Sequence, residues 1–232
     1  MLEVNGLSKK YGRVLAADEV TFSVPEGKVG ILLGPNGAGK STVIKSVAGL
    51  LKYTGEVKIA GIPAKEKEAK RAFAYVPEMP ALFEALTVRE HIEYIRMAYG
   101  SDITEEEILS MLTRFEMEDK QDKLGNELSK GMMQKVSICC ALAIKPKVMI
   151  LDEPMVGLDP KAIKELKVVV EELSKAGTTV LLSTHMLEMV KDMWDVMFIM
   201  DKGKIIASYT KEEAEHREID ELFFTITDGG EA

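Results

Sequence analysis

Hydrophobic and polar positions in the first third of the chain predict short β-strands with helical segments between them. Residues 2–7 and 20–24 are β-rich, and "KVGILLG" from residue 28 is a continuous apolar run typical of a buried strand. Immediately after the following glycines, residues 43–50 take the apolar spacing of a helix. Three further elements follow in order: the alternating "EVKIAG", the basic, helix-prone "AKEKEAKRA" and the buried strand "AFAYV".

Residues 87–144 have a helical pattern throughout. Thr87 with Glu90, and Thr104 with Glu107, have the spacing of a capping box, in which a hydroxyl and a carboxylate satisfy N–H groups at a helix start. We therefore predict a helical insert between strands.

The last third of the chain returns to strands. "VMIL" at 148 and "TTVLLS" at 178 are separated by a helix that Asp159 can cap, Pro160 can open and Gly177 can close. A strand, a helix and a strand in succession predict a parallel sheet. A hairpin with the turn "DKG" follows, and then the charged helix "TKEEAEHRE" and a short apolar tail.

Composition indicates a globular chain and argues against several functions. Of 232 residues, 46% are hydrophobic and 29% charged, and the net charge of -8 disfavours a nucleic-acid partner. The longest run without Asp, Glu, Lys or Arg has 12 residues, whereas a spanning helix needs about 20, so we expect no membrane crossing. The polar start "MLEVNGLSKKYG" does not fit a signal peptide, and the adjacent Cys139 and Cys140 do not fit a disulfide framework. We expect a cytoplasmic protein.

"GPNGAGKS" fits the phosphate-loop pattern and lies between a predicted buried strand and a helix. Glycines let backbone N–H groups surround a triphosphate, Lys40 reaches the β- and γ-phosphates, and the Ser41 hydroxyl can bind Mg²⁺. A plain glycine-rich turn would not explain Lys40 and Ser41 in register. The predicted ATP-binding residues are Gly34, Pro35, Asn36, Gly37, Ala38, Gly39, Lys40, Ser41 and Thr42.

"VMILDEP" places two carboxylates at the end of a buried strand. Asp152 is predicted to hold Mg²⁺, and Glu153 to polarise the water that attacks the γ-phosphate. Alone, Asp-Glu-Pro is more often a turn with a helix cap. Paired with an upstream phosphate loop, the catalytic interpretation is favoured.

Together these motifs resemble one family, the ATP-binding cassette (ABC) ATPases, over nearly the whole chain. The resemblance depends on "GPNGAGKST", "YVPE", "LSKGMMQK", "LDEP", "GLDP" and "STH" in the family's order. It implies an α/β fold with a P-loop NTPase core and mixed sheet, an N-terminal antiparallel β subdomain and an inserted helical subdomain. Residues 1–232 would then form one domain, with a nucleotide-binding core at 1–86 and 145–232 and a helical signature subdomain at 87–144.

The resemblance gives a role to the helix start "LSKGMMQK". In the family this helix start faces the γ-phosphate held by the opposite subunit, so Ser129, Lys130, Gly131 and Met132 would serve a partner's ATP. A helix N-terminus with a Ser suits phosphate. The isolated octapeptide favours only an N-cap.

Two departures separate this chain from the family's usual pattern. Lys130 and Met132 replace a glycine and a glutamine of the signature, and Glu78 replaces a glutamine, although it remains an oxygen ligand for Mg²⁺. Both replacements resemble those of a subgroup that powers export-type permeases.

Three residues are carried over singly from the family. Tyr11 matches the aromatic that stacks on adenine, against an alternative as a plain turn residue. His185 matches a γ-phosphate contact, although a lone His is usually a surface or core residue. Asp159 would link the subunits or cap a helix, and the two roles are compatible.

We expect an Mg²⁺-dependent ATPase that works as a homodimer or heterodimer and drives a separate membrane permease from the cytoplasmic face. "MPALFEAL" is a candidate seat for a permease helix, or packs beneath the helical insert. The alternative is a soluble ATPase of the same fold in cofactor assembly. A DNA clamp of this fold would carry a long coiled coil between the phosphate loop and the signature helix, and this sequence has no such insertion. A small-molecule kinase would not explain "LSKGMMQK".

Overall fold

Two β-sheets organise residues 1–214, the part of the chain that this computed structural model describes. The first sheet has strand order β2-β1-β4-β5, and its neighbours are antiparallel. Its strands are β1 (Leu2–Tyr11), β2 (Val14–Val24), β4 (Thr54–Ile59) and β5 (Ile62–Pro63). This is the antiparallel N-terminal sheet that the family resemblance implies.

The second sheet has six strands in the order β10-β9-β3-β8-β7-β6. They are β3 (Val29–Leu33), β6 (Phe73–Val76), β7 (Val148–Asp152), β8 (Thr179–Thr184), β9 (Val196–Asp201) and β10 (Lys204–Thr210). The pairs from β9 to β6 are parallel, and only the β9–β10 hairpin is antiparallel. The predicted mixed sheet and the parallel pairing of β7 with β8 are confirmed.

Helices lie between these strands, and their predicted start signals are present. The helices are α1 (Lys40–Val47), α2 (Lys67–Arg71), α3 (Val88–Tyr99), α4 (Glu105–Arg114), α5 (Lys130–Ala143), α6 (Pro160–Lys175) and α7 (Lys211–Ala214). Thr87 and Thr104 form complete capping boxes at α3 and α4. Asp159 caps α6, with Pro160 at its first position.

The prediction that residues 87–144 are helical throughout is wrong for residues 115–129. Between α4 and α5 the chain forms two 3₁₀ turns, Glu118–Lys120 and Gly125–Glu127. A Cβ on Gly125 would lie 2.3 Å from the Phe83 carbonyl oxygen, so this segment passes close to another backbone. The subdomain boundaries remain predictions. Of the predicted charged C-terminal helix, α7 covers residues 211–214, and the remainder and the apolar tail lie outside the described residues.

Two hydrophobic cores lie on opposite faces of the six-stranded sheet. One packs the sheet against α3, α4, α5 and α6, and the other packs it against α1 and the N-terminal sheet. Along β3, Ile31 and Leu33 enter the first core and Leu32 enters the second, as the alternation of a strand requires. All five residues of β3 are buried, so the packed strand fixes the position at which the following loop begins.

Within residues 1–214, no helix combines the length and apolar character needed to cross a bilayer.

Candidate active site

The loop of residues 34–39 connects β3 to α1 and is held by close backbone contacts. Gly39 precedes the helix with φ of 106°, and a Cβ there would lie 2.3 Å from the Ala16 carbonyl oxygen. A Cβ on Gly34 would lie 2.3 Å from the carbonyl oxygen of Met200 in β9. Glycine is therefore required at both ends of the loop, because any side chain would collide with backbone.

Lys40 begins α1 and is buried, with 5% of its surface exposed. Its Nζ donates hydrogen bonds to the carbonyl oxygens of Gly34 at 2.7 Å and Pro35 at 3.2 Å, and lies 3.4 Å from Oε1 of Glu153. The ammonium group is thus aimed back over its own loop. A phosphate bound in this loop would meet a cation already desolvated and positioned.

Asp152 ends β7 and is fully buried. Its Oδ1 accepts hydrogen bonds from the hydroxyls of Ser41 at 3.1 Å and Ser183 at 2.7 Å. Its Oδ2 is buried and has no hydrogen-bond partner among the described residues. Burial raises the pKa of Asp152, the hydroxyl hydrogen bonds oppose that shift, and the negative charge of Glu78 adds a small further increase.

The unpartnered Oδ2 is the observation that tests whether Mg²⁺ fits this site. A buried carboxylate oxygen without a partner is unfavourable, and a hard cation beside it would satisfy the lone pairs. Ser41 and Glu78 both line the adjoining cleft, so the three predicted ligands are gathered there. No group of three or more His, Cys, Asp or Glu side chains that could hold a metal occurs within residues 1–214, and the predicted set differs because it includes a hydroxyl.

Glu153 follows Asp152 in the left-handed region, with φ of 46°. Its N–H donates to the hydroxyl of Ser183 at 3.0 Å, which fixes the turn. The carboxylate lies between two basic groups, with Oε2 3.1 Å from Nδ1 of His185 and Oε1 3.4 Å from Nζ of Lys40. Backbone strain of this kind at a non-glycine residue is typical of functional sites.

An open cleft of about 320 Å³ collects most of the predicted site residues. Its lining residues are Ala16, Pro35, Asn36, Gly37, Gly39, Lys40, Ser41, Thr42, Glu78, Glu153, Val156 and His185. Asp152 lies behind this lining, bonded to Ser41.

Sequence reasoning missed Ser183, Ala16 and Val156 as parts of the site. Ser183 lies directly opposite Asp152 in the parallel pairing of β7 and β8. The sequence could have indicated Ser183, because it is the serine of "STH", at the end of the strand predicted to pair with the strand that ends in "LDEP". Ala16 and Val156 carry no recognisable polar signal.

Tyr11, Ser129 and Gly131 do not line the cleft within the described chain. Tyr11 is 47% exposed at the end of β1, and the Lys9 ammonium group lies 5.0 Å from its ring centre. Its role in adenine stacking remains a prediction.

Ser129 is an exposed N-cap whose hydroxyl accepts a hydrogen bond from the N–H of Met132 at 3.3 Å. The capping role is confirmed. Two residues on, a Cβ on Gly131 would lie only 2.6 Å from the Gly157 carbonyl oxygen, so this glycine allows the helix to approach the loop after Glu153. The side chain of Lys130 lies over Gly157, and Met132 packs against the first core.

Comparison with known proteins gives the same family throughout. The model of the ABC transporter family matches residues 17–156. The ABC-type transporter ATP-binding protein EcsA of Bacillus subtilis (strain 168) is 36% identical over 238 residues, covering 98% of this chain and 96% of EcsA. The SkfA peptide export ATP-binding protein SkfE of the same strain is 33% identical over 209 residues, covering 89% of this chain and 87% of SkfE.

Solved structures agree with these sequence relatives. An ATP-binding subunit of an ABC transporter superposes with a TM-score of 0.89 at 36% identity, covering 97% of this chain and 99% of that one. A dimeric post-hydrolysis state of the ATP-binding cassette MJ0796, bound to ADP and Pi, superposes with a TM-score of 0.78 at 27% identity, covering 90% and 98%. This chain belongs to the ABC transporter family, as an ATP-binding subunit whose relatives include export-type proteins.

Proposed function

We propose that this protein hydrolyses ATP with Mg²⁺ as a dimer and drives transport through a separate membrane permease. The observation that carries the proposal is the position of the Glu153 carboxylate, between His185 and Lys40 in the lining of the phosphate-loop cleft. A carboxylate there can accept a proton from water next to a bound γ-phosphate.

The phosphate loop and Lys40 would bind the triphosphate. Backbone N–H groups of the loop and of the start of α1 would donate to the phosphates, and the Lys40 ammonium group would exchange the carbonyl oxygens of Gly34 and Pro35 for phosphate oxygens. Ser41, Asp152 and Glu78 would hold Mg²⁺, which when bound neutralises phosphate charge and orients its oxygens.

Glu153 would then act as the general base. His185 contacts Oε2 of the carboxylate, whereas the buried Oε1 has no hydrogen-bond partner among the described residues. Movement of Lys40 towards phosphate would remove the cation nearest Oε1. The oxygen then becomes free to accept the proton of an attacking water.

The exposed start of α5 supports a dimer. Ser129 lies outside the lining of its own chain's cleft, although a capped helix N-terminus is well suited to phosphate. A second chain would bring its nucleotide to this surface. The dimeric state of the solved cassette MJ0796 is consistent with that arrangement.

A groove beside the helical insert suits a permease helix. It has a volume of about 540 Å³ and includes Ala81, Leu82, Phe83, Tyr94, Ile95 and Tyr99 among its lining residues. Phe83 is 56% exposed, and the nearby Met79 is 75% exposed. Leu82 packs against the first core, so "MPALFEAL" both supports the insert and presents apolar side chains to a partner.

Export is the direction that the relatives' names favour, and the substrate would be set by the permease. The test is Glu153→Gln, which keeps the shape of the side chain but cannot accept a proton. With ATP it should form dimers in gel filtration while losing hydrolysis, and the wild-type chain should co-purify with a membrane protein.

Glu171→Gln on the exposed face of α6 is the matched control and should behave as wild type. If Glu153→Gln stays monomeric in gel filtration with ATP and still hydrolyses ATP, Glu153 is not the general base. Purification without any membrane protein, combined with intact ATPase activity, would favour a soluble role in cofactor assembly.

A further inference from the structure

One face of α5 is joined to the loop after Glu153 at three points. The side-chain nitrogen of Gln134 donates to the Pro154 carbonyl oxygen at 3.4 Å. Gly131 permits the close approach of the Gly157 carbonyl oxygen, and Nζ of Lys135 lies 2.8 Å from Oδ2 of Asp159. Positions 131, 134 and 135 share one helix face, so all three contacts hold the loop against a single face of α5.

The pair of Lys135 and Asp159 is the only ion pair among these three contacts. The side chain of Lys135 is 10% exposed, whereas that of Asp159 is 47% exposed. The two carboxylate oxygens of Asp159 have different partners. Oδ1 accepts a hydrogen bond from the N–H of Ala162 at 2.9 Å and so caps α6, while Oδ2 contacts Lys135. Lys135, through its hydrogen bond and charge, lowers the pKa of Asp159, as does the cap.

We propose that Lys135 is a positioning residue that holds residues 154–159 against α5, so that Ser129 and Glu153 move as one unit. Ser129 begins α5, and Glu153 immediately precedes the loop that Lys135 holds. The inference rests on the proposed function, in which Ser129 meets the partner's ATP and Glu153 serves the chain's own. Docking of one nucleotide on Ser129 would then reposition the general base of the other site.

The contact between Lys135 and Asp159 can be removed by substitution without preventing the chain from folding. Removal of the Lys135 charge leaves a half-exposed carboxylate that remains hydrated and still caps α6, so the chain should fold. Conversely, Asp159→Asn keeps a side-chain cap of equal quality but loses the attraction to Lys135. The two variants therefore remove the same link from opposite ends.

The experiment uses Lys135→Met in two backgrounds. In Glu153→Gln, ATP affinity of the monomer measured by calorimetry should be unchanged, whereas the ATP-induced dimer measured by sedimentation should dissociate about 10-fold more readily. In the otherwise wild-type chain, kcat should fall about 10-fold with KM nearly constant. Lys135→Arg should restore both quantities, because it retains the cation.

Asp159→Asn should reproduce the loss, and the double variant should lose no more than either single variant, since both act on one interaction. Lys161→Met is the control, because the exposed Lys161 pairs with Glu116, the carboxylate that also lies 3.9 Å from Nζ of Lys135. This variant therefore removes a neighbouring cation and a Glu116 contact while the contact between Lys135 and Asp159 stays in place. If Glu153→Gln itself fails to dimerise, the proposed function and this inference both fall. If it dimerises and Lys135→Met dimerises equally well, or if the two losses add, only the role of Lys135 is rejected. Should Lys135→Met not fold, Lys135→Gln, which keeps a polar side chain but lacks the cation, decides between these outcomes.

Discussion

Nδ1 of His185 lies 3.1 Å from Oε2 of Glu153, so an imidazole after β8 holds the carboxylate that follows β7. The two strands are adjacent and parallel, and their carboxyl ends therefore deliver both side chains to one edge of the sheet. The contact orients Oε2, and Oε1 has no hydrogen-bond partner among the described residues.

His185→Ala should lower kcat by about 10²-fold, the size of effect expected when a catalytic group is displaced by roughly 1 Å. ATP affinity should change little, because the phosphate loop is untouched. Steady-state hydrolysis and calorimetry would measure the two quantities, with Met186→Leu as a neighbouring control. Near-normal turnover would mean that Glu153 needs no support from the imidazole.

Lys40→Ala should weaken ATP binding about 10- to 100-fold, since a hydrogen bond to a charged group contributes about 1.5–3 kcal/mol. Hydrolysis should fall as well. Tyr11→Ala should reduce affinity less, through lost stacking alone. Calorimetry with each purified variant provides the comparison, and equal ATP affinity in wild type and Lys40→Ala would reject the phosphate-loop role.

Mixed dimers test whether Ser129 serves the other chain. Ser129→Arg places a bulky cation at the start of α5, and Lys40→Ala damages the phosphate loop, so each variant alone should be nearly inactive. A mixed dimer has one composite site that carries both changes and another that carries neither. Activity should therefore partly return on mixing. No recovery, despite mixed dimers verified by pull-down with two tags, would place the helix start at its own chain's site.

Phe83→Ser should impair assembly with the permease while leaving the ATPase site intact. Phe83 is 56% exposed in the groove, and its ring packs edge-on against Tyr94 with centroids 5.6 Å apart. Co-purification would report the interaction, and Val14→Ser, at another exposed apolar position, is the control. If Phe83→Ser and Val14→Ser recover equal amounts of the membrane partner, the permease binds at another surface of the chain.

Gly30→Ala should destabilise the protein by about 1–3 kcal/mol, the usual effect of overpacking a core. The added Cβ would lie 2.5 Å from Cγ2 of Val24, which is a side-chain rather than a backbone contact. Val24→Ala in the same chain should recover part of the loss by making room. Denaturant unfolding of the single and double variants measures both changes, and a double variant less stable than Gly30→Ala would contradict the packing argument.

Local signals predicted much of this fold and site. The capping boxes at Thr87 and Thr104, the cap at Asp159 and the strand–loop–helix around Lys40 depend on residues a few positions apart, and all are present. The same reasoning failed between α4 and α5, where backbone groups of residues 121–126 hydrogen-bond to the backbone of residues 84–89 rather than continuing a helix. Tertiary contact overrode helical tendency in that segment.

Contacts between segments that are far apart in the sequence could not be predicted from local sequence signals, for a physical reason. The hydrogen bond from Ser183 to Asp152 depends on the register of β7 against β8, and the joint at Gly131 depends on the path of a loop from another part of the chain. Local propensity contains no information about register between strands far apart in sequence. Only motif order suggested that these segments meet.

The position of β3 between β8 and β9 has a consequence for synthesis on the ribosome. Both neighbours lie far downstream of β3 in the sequence, so the strand that supports the phosphate loop has no sheet partner until β8 has been synthesised. Its apolar residues and unpaired backbone groups would be exposed in nascent chains and in any product truncated before β8. Such fragments should aggregate or recruit chaperones, and ATP binding should appear late, as the final strands enter the sheet.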